Sequence, residues 1–283
     1  MAAGLLSSCA TTKVFYQVYK TNYEGLTKKD HLVVFEDENC VVSYNLWGDG
    51  GNIGFRFYNK TDQNIFLNLD ECFYISNGNA FNYYKNRVYT SSSATGVSQS
   101  SGISSSRSVD ASVSVTALNY LSLLQTNSVT AGASQSVYSS NSTMSSKGRS
   151  VAINEEKIMC IPPQSSKIVA EYSINESPYR DCDLLRFPKN KQSIVKTFDK
   201  TNSPYIFSNL LVYKIGQNEN QKKIKNEFYV TEISNLTKET MSTLNYERSC
   251  GEKSFEKQYF FKNLGPDAFY IEYVRPNTYK WEH

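Results

Sequence analysis

Residues 54–77 read GFRFYNKTDQNIFLNLDECFYISN, and the alternation in this stretch constrains the fold more than any other part of the chain. Phe55 and Phe57 alternate with Arg56 and Tyr58, and beyond Asn59-Lys60-Thr61-Asp62 the residues Ile65, Leu67 and Leu69 alternate with Phe66, Asn68 and Asp70. Apolar residues at every second position describe a strand with one face buried, because successive side chains point to opposite faces of a sheet. The Asn and Asp residues between the two runs suit a turn, since their short side chains hydrogen-bond the local backbone and tolerate left-handed conformations. The stretch is therefore expected to be a β-hairpin, and the class all-β.

The flanking segments extend the pattern. Val14, Tyr16 and Val18 alternate with Phe15, Gln17 and Tyr19. Short apolar runs follow at 31–36, 40–47, 72–75, 81–84 and 87–89, with a glycine turn at 48–51 and another turn at 77–79. Turn signals at intervals of roughly eight to twelve residues are the signature of a β-sandwich. The glycine cluster would need a helix after it to cradle phosphate, and strand residues follow instead, so it is expected to be a hairpin turn. The pattern resumes at 157–161, is broken by Pro162-Pro163, and continues through Ile168, Ala170 and Tyr172. Runs at 205–215, 228–233, 259–261 and 269–274 complete it, with 222–225 expected as a polar turn between strands. The 21 tyrosines and 15 phenylalanines fit pleated, half-buried surfaces.

Between the two halves the composition changes abruptly. A little under half of residues 91–150 are Ser or Thr, and the charged ones are Arg107, Asp110, Lys147 and Arg149. Such a tract buries too little apolar surface to offset ordering entropy, which describes a linker or a long loop. Two parts of it carry a pattern, however. Val109, Ala111, Val113, Val115 and Ala117 alternate with polar residues, an apolar run containing Leu118 and Leu121 follows, and Val129, Ala131 and Ala133 alternate again. Two alternating arms joined by an apolar tip describe the membrane hairpin of a β-barrel pore, each arm near the roughly 9–11 residues that cross a bilayer. A solvent-exposed hairpin, or a short helix at 117–125, remains the other reading. The organisation expected is a signal remnant at 1–8, the first half of a sandwich at 9–90, an insertion at 91–155, and the second half with C-terminal strands at 156–283.

At the N-terminus, Leu5-Leu6-Ser7-Ser8-Cys9 resembles the lipobox of bacterial lipoproteins, and the SSCATT stretch is similar to that of Bacteroidota envelope lipoproteins. The resemblance implies lipidation of Cys9 and a membrane partner through it, three acyl chains holding far more firmly than one. Residues 1–6 lack the charged segment and apolar length of a full signal peptide, so a truncated signal is expected. The acidic export signal of surface-displayed lipoproteins is missing from Ala10-Thr11-Thr12-Lys13, which implies an outer-membrane lipoprotein facing the periplasm. Asn59-Lys60-Thr61-Asp62, the alternation after it and the aromatic run to Asn77-Gly78 resemble the immunoglobulin-like modules of such lipoproteins, implying an immunoglobulin-like β-sandwich with a long Ser/Thr-rich insertion.

Composition narrows the chemistry. The 30 basic and 27 acidic residues nearly cancel, so no global field points to nucleic acid. His31 and His283 are the only histidines, and no C-x-x-C or H-x-x-x-H spacing offers a zinc site. Ser193 and Lys196 match the S-x-x-K spacing of serine acylases without its companion motifs. Glu36-Asp37-Glu38 and Asp181/Asp183 lack the spaced oxygens of a calcium loop. With Cys9 lipidated, Cys182 and Cys250, in polar segments, are the expected disulfide pair, while Cys40, Cys72 and Cys160 sit in strands. Asn59, Asn141 and Asn235 begin glycosylation sequons. The expectation is a binding or assembly component that is not an enzyme and uses no cofactor, with a protein partner or copies of itself. An oligomeric pore is the alternative.

Overall fold

The computed structural model describes residues 13–95, 147–189, 192, 194–218, 220–262 and 265–276. They form antiparallel sheets with a single helical turn, α1 (Lys238–Met241). One sheet runs β12 (Ser166–Val169), β5 (Phe55–Asn59), β4 (Cys40–Tyr44), β3 (Leu32–Glu36), β2 (Thr27–Lys29). The larger sheet is built on β14 (Ile206–Ile215), β15 (Lys222–Thr237), β1 (Val14–Tyr23) and β18 (Ala268–Val274), side by side in that order. The far edge of β14 carries β6 (Ile65–Asn68) with β11 (Ile158–Ile161) beyond it, and also β7 (Phe73–Ser76) with β8 (Asn79–Asn82). Strand β13 (Val195–Thr197) pairs with β15.

The two sheets pack face to face, which makes the fold an all-β sandwich. Phe57 meets Tyr213 at 5.4 Å between ring centroids, Tyr44 meets Phe228 at 5.3 Å, and Phe207 stacks on Phe228. Aromatic pairs at these separations add about 0.5–1.5 kcal/mol each beyond the area they bury. Cys40 and Cys72 lie in this core, where burial pushes both thiols up to about 12.

Three expectations are corrected. The stretch 54–77 is not a hairpin: β5 pairs with β4 and β12, whereas β6 pairs with β14 and β11, so the chain crosses from one sheet to the other. Phe55, Phe57, Ile65 and Leu67 are all fully buried, because both strands turn their apolar face inward from opposite sides. Asn59 makes the crossing possible. Its amide donates to the carbonyls of Gln63 (2.7 Å), Ile161 (3.0 Å) and Pro162 (3.1 Å), and its Oδ1 accepts from the backbone and hydroxyl of Thr61. The prolines at 162 and 163 mark the matching crossing from β11 to β12. Second, residues 222–225 are not a turn but the start of β15, where Ile224 and Asn226 are buried and Lys223 and Lys225 point out. Third, Cys182 and Cys250 do not pair. They stand exposed on separate elements, a loop after β12 and a ribbon turn, and all five described cysteines are free.

The glycine turn joins β4 to β5 as expected and also docks on β18. The Gly50 N–H donates to the Tyr270 carbonyl at 2.8 Å, and Tyr270 N–H returns a bond to Gly48. A Cβ at Gly51, whose φ is +72°, would sit 2.7 Å from Ile174 Cδ1 and 2.8 Å from the Phe269 ring, so only glycine fits. Two sequon asparagines serve the interior. Asn59 is spent on the crossing, and Asn235 accepts from Gln17 Nε2 (2.8 Å) while donating to the Leu185 carbonyl (2.9 Å).

Replacing Asn59 removes the donor to the buried Ile161 carbonyl and its bonds to Gln63 and Pro162, whose carbonyls keep Thr61 and Ser165 as donors. Asn59→Ala is expected to lower unfolding free energy by about 2–4 kcal/mol in urea titrations, while Asp62→Ala in the same turn, exposed, changes it by less than about 0.5 kcal/mol. Equal effects would show that the crossing is not where stability is held.

Candidate functional site at the ribbon root

Two antiparallel ribbons belong to neither sheet. One is β9 (Val88–Thr95) with β10 (Lys147–Asn154), whose register runs unshifted from Val88↔Asn154 to Thr95↔Lys147. Isolated two-stranded ribbons are marginal in water, so its root must be held from outside. The approach is fixed first. Tyr83 is buried, its hydroxyl donates to Asn209 Oδ1 at 2.7 Å, and Asn209 donates in turn to the Ile53 carbonyl at 2.9 Å. Asn86, at φ +53°, then bends the chain outward.

An ionic clamp closes the root. Glu155, with a side chain 7 % exposed, accepts from the backbone N–H groups of Lys85 (2.9 Å) and Arg87 (3.0 Å) and from the Arg87 guanidinium (2.6 Å). The same guanidinium forks onto both oxygens of Glu171, at 2.7 and 3.0 Å, and Lys85 Nζ lies 2.8 Å from Glu171. Burial opposes the charge on Glu155, but the Arg87 side chain and the two backbone donors outweigh it and hold the carboxyl below its ordinary value. Arg87 thus ties β9, β10 and the strap after β12 together, with the planar bidentate geometry that lysine lacks. Above the clamp, Tyr89 sits opposite Ile153, and both are about half exposed or more.

Beside the clamp lies an open groove of about 470 Å³ with an aromatic wall. Tyr172 packs against Tyr74 at 5.2 Å, Tyr83 at 5.3 Å and Phe81 at 6.0 Å, and Lys85 Nζ stands 4.5 Å above its ring. Ser76, Asn77 and Asn175 complete the lining, and the buried Tyr74 hydroxyl has no hydrogen-bond partner. Rings beside side-chain amides suit stacking and hydrogen bonding to a polar ligand, and Glu176 adds a carboxylate to the lining, while Glu155 and Glu171 are spent on Arg87 and Lys85.

The other residues singled out by sequence are accounted for. Cys9, Val109, Ala111, Val113, Val115, Leu118, Leu121, Val129 and Ala131 lie outside the described residues, as do Ser193, Asn141 and His283. Lys196 is hydrogen-bonded to Asp181, which holds it in its charged form. Glu36 bridges Lys29 and Lys60, and Glu38 meets Lys222, so these acids are surface ion pairs. His31 is exposed. Sequence reasoning missed the clamp. The signal available was a charged residue on each flank of the Ser-rich tract, Arg87 before it and Glu155 after it.

A carboxyl held below its ordinary value contributes stability that is full above the unfolded value, 4.5 for glutamate, and lost as pH falls through the folded one. Glu155→Gln is therefore expected to cost about 1–3 kcal/mol at pH 7, with the difference from the parent closing below about pH 4 in urea titrations. A difference independent of pH would assign the effect to packing.

Compared with known proteins, the chain matches no family model, no curated protein and no solved structure.

Proposed function

We propose that this chain is an envelope protein, anchored through lipidated Cys9, that contributes a two-stranded stave to an oligomeric β-barrel, and that it is not an enzyme. The observation that carries the reading is the register of β9 and β10. Every pair lies equally far along the chain from Leu121, the centre of the apolar tip. Extended without a shift into a membrane-inserted state, this register sets Val109 against Ala133, Ala111 against Ala131 and Val113 against Val129, so the apolar positions of both arms share one face. Polar groups of the backbone must be satisfied within lipid, so one such hairpin needs copies from other subunits to close a barrel. The exposed Tyr89 and Ile153 at the root support contact between copies. The sandwich, which we take to be immunoglobulin-like in kind, is the rigid body from which the stave departs. Among the described residues no helix is long and apolar enough to cross a membrane.

The aromatic groove favours a second reading, in which the anchored protein binds a polar ligand and the segment 96–146 serves recognition. Detergent-extracted protein expressed with its native leader separates the two. The stave reading expects a ring of many subunits and leakage of a dye from vesicles. Val113→Arg, on the lipid face, costs about 2–4 kcal/mol per stave at the midplane and abolishes leakage, whereas Ser112→Arg, on the lumen face, retains it. A monomer that releases no dye supports the anchored binder. In either case Cys9→Ala is expected to move the protein from the membrane to the soluble fraction, and retention of that variant in the membrane would remove the lipid anchor.

A further inference from the structure

The second free ribbon is β16 (Ser242–Ser249) with β17 (Glu252–Phe261), and its two faces differ chemically. Along β17 the residues 253, 255, 257, 259 and 261 are Lys, Phe, Lys, Tyr and Phe, while 252, 254, 256 and 258 are Glu, Ser, Glu and Gln. From Lys257 to Phe261 strand alternation places the two sets on opposite faces, whereas the register shifts between Tyr246 and Arg248 and leaves 254–256 as a bulge from which Phe255 projects fully exposed. The register adds Leu244, opposite Tyr259, and Tyr246, opposite Lys257, to the first face. Lys257 and Lys253 lie 5.4 and 6.0 Å from the Tyr246 ring, and Lys238 of α1 lies 3.7 Å from the Tyr259 ring. At its base this face is covered, since Phe261 packs on Trp47 (5.4 Å) and Tyr16 (5.6 Å). Further out it is bare: Phe255 is fully exposed, and Tyr259 and Leu244 are about half exposed.

The charges on the bare part are unbalanced. Among the described residues Lys238, Arg248, Lys253 and Lys257 make no ion pair, and Arg248 stands directly across the ribbon from Lys253. Like charges in cross-strand register are unfavourable by themselves. A surface of lysines and exposed aromatics is complementary to one that is anionic outside and apolar just beneath. Aromatic rings settle at the headgroup level of a bilayer, and lysines are drawn to the negative potential of an anionic leaflet. We infer that the Lys253–Phe255–Lys257–Tyr259 face of the β16–β17 ribbon docks on an anionic lipid surface. This stands whether or not the chain is lipidated or forms a ring.

Cys250, exposed at the turn of this ribbon, offers a local reporter. The full chain carrying Cys9→Ser, Cys160→Ser and Cys182→Ser is labelled at Cys250 with an environment-sensitive fluorophore. It is then mixed with phosphatidylcholine vesicles with or without roughly a third phosphatidylglycerol. The expected result is a blue shift, with quenching by headgroup-region nitroxide lipid, on the anionic vesicles alone. Lys253→Glu with Lys257→Glu is expected to weaken it by about tenfold or more. Phe255→Ala with Tyr259→Ala should keep salt-sensitive association but lose the shift. All four side chains are exposed, and circular dichroism confirms that each variant is folded.

Vesicle binding that leaves the label in water, or that ignores the charge reversal, overturns the inference. So does a shift given by soluble dextran sulfate, or by raised protein concentration alone, which would assign the face to an acidic polymer or to a second copy. Dye release is read in parallel with the lipidated parent protein reconstituted in vesicles of the same composition. A shift without release removes the stave and leaves this inference standing, and release without a shift does the reverse.

Discussion

A chain that crosses between two sheets leaves both hydrogen-bond ladders at once, and the backbone groups it exposes must find partners inside the protein. This constraint falls here on Asn59. Its amide donates across both crossings, to Gln63 on the β5–β6 side and to Ile161 and Pro162 on the β11–β12 side. The strands on either side then take matching places: β12 pairs with β5 in one sheet, and β11 pairs with β6 in the other. A single side chain thus joins the part of the chain before residue 96 to the part after residue 146. The junction is reinforced by Asn59 N–H on the Ser165 carbonyl and by Gln164, whose amide donates to the Lys60 carbonyl, beside the aromatic contact of Phe57 with Tyr213.

How much of this was legible follows from what alternation reports. Phe55, Phe57, Ile65 and Leu67 were marked as inward by period alone, and all four are fully buried. Period says which face is covered but not which strand lies alongside. Residues that make a tight turn also make a sheet crossing, because Asn serves both through the same local hydrogen bonds. The difference lies in carbonyls about a hundred residues away, beyond any window of local pattern. At 222–225 the error had another source: composition favoured a turn, while burial of Ile224 and Asn226 at alternate positions favours a strand whose lysines face water. The clamp was illegible because Arg87, Glu155 and Glu171 are unremarkable charged residues until the fold brings them together.

The two ribbons meet one problem with opposite chemistry. Neither can stabilise itself, and each is fixed at its root. The β9–β10 root is ionic: Arg87 spans two carboxylates, and its guanidinium also lies 5.5 Å from the Tyr89 ring. The β16–β17 root is aromatic, and Phe261 spends one face of the ribbon on Trp47 and Tyr16. A packed aromatic root fixes the ribbon's rotation as well as its position, because one face must stay down.

An ionic root acts differently. It holds the two strands by their ends, where Val88, Tyr89 and Ile153 are exposed, and among the described residues no further strand pairs with either edge of β9–β10. Unpaired strand edges are a hazard that proteins ordinarily blunt or cover. Both ribbons keep unpaired edges among the described residues, and the β16–β17 ribbon differs in that one of its faces is covered at the base. The two roots thus differ in chemistry: one holds its ribbon by charge at the strand ends, and the other by packing aromatic rings at its base.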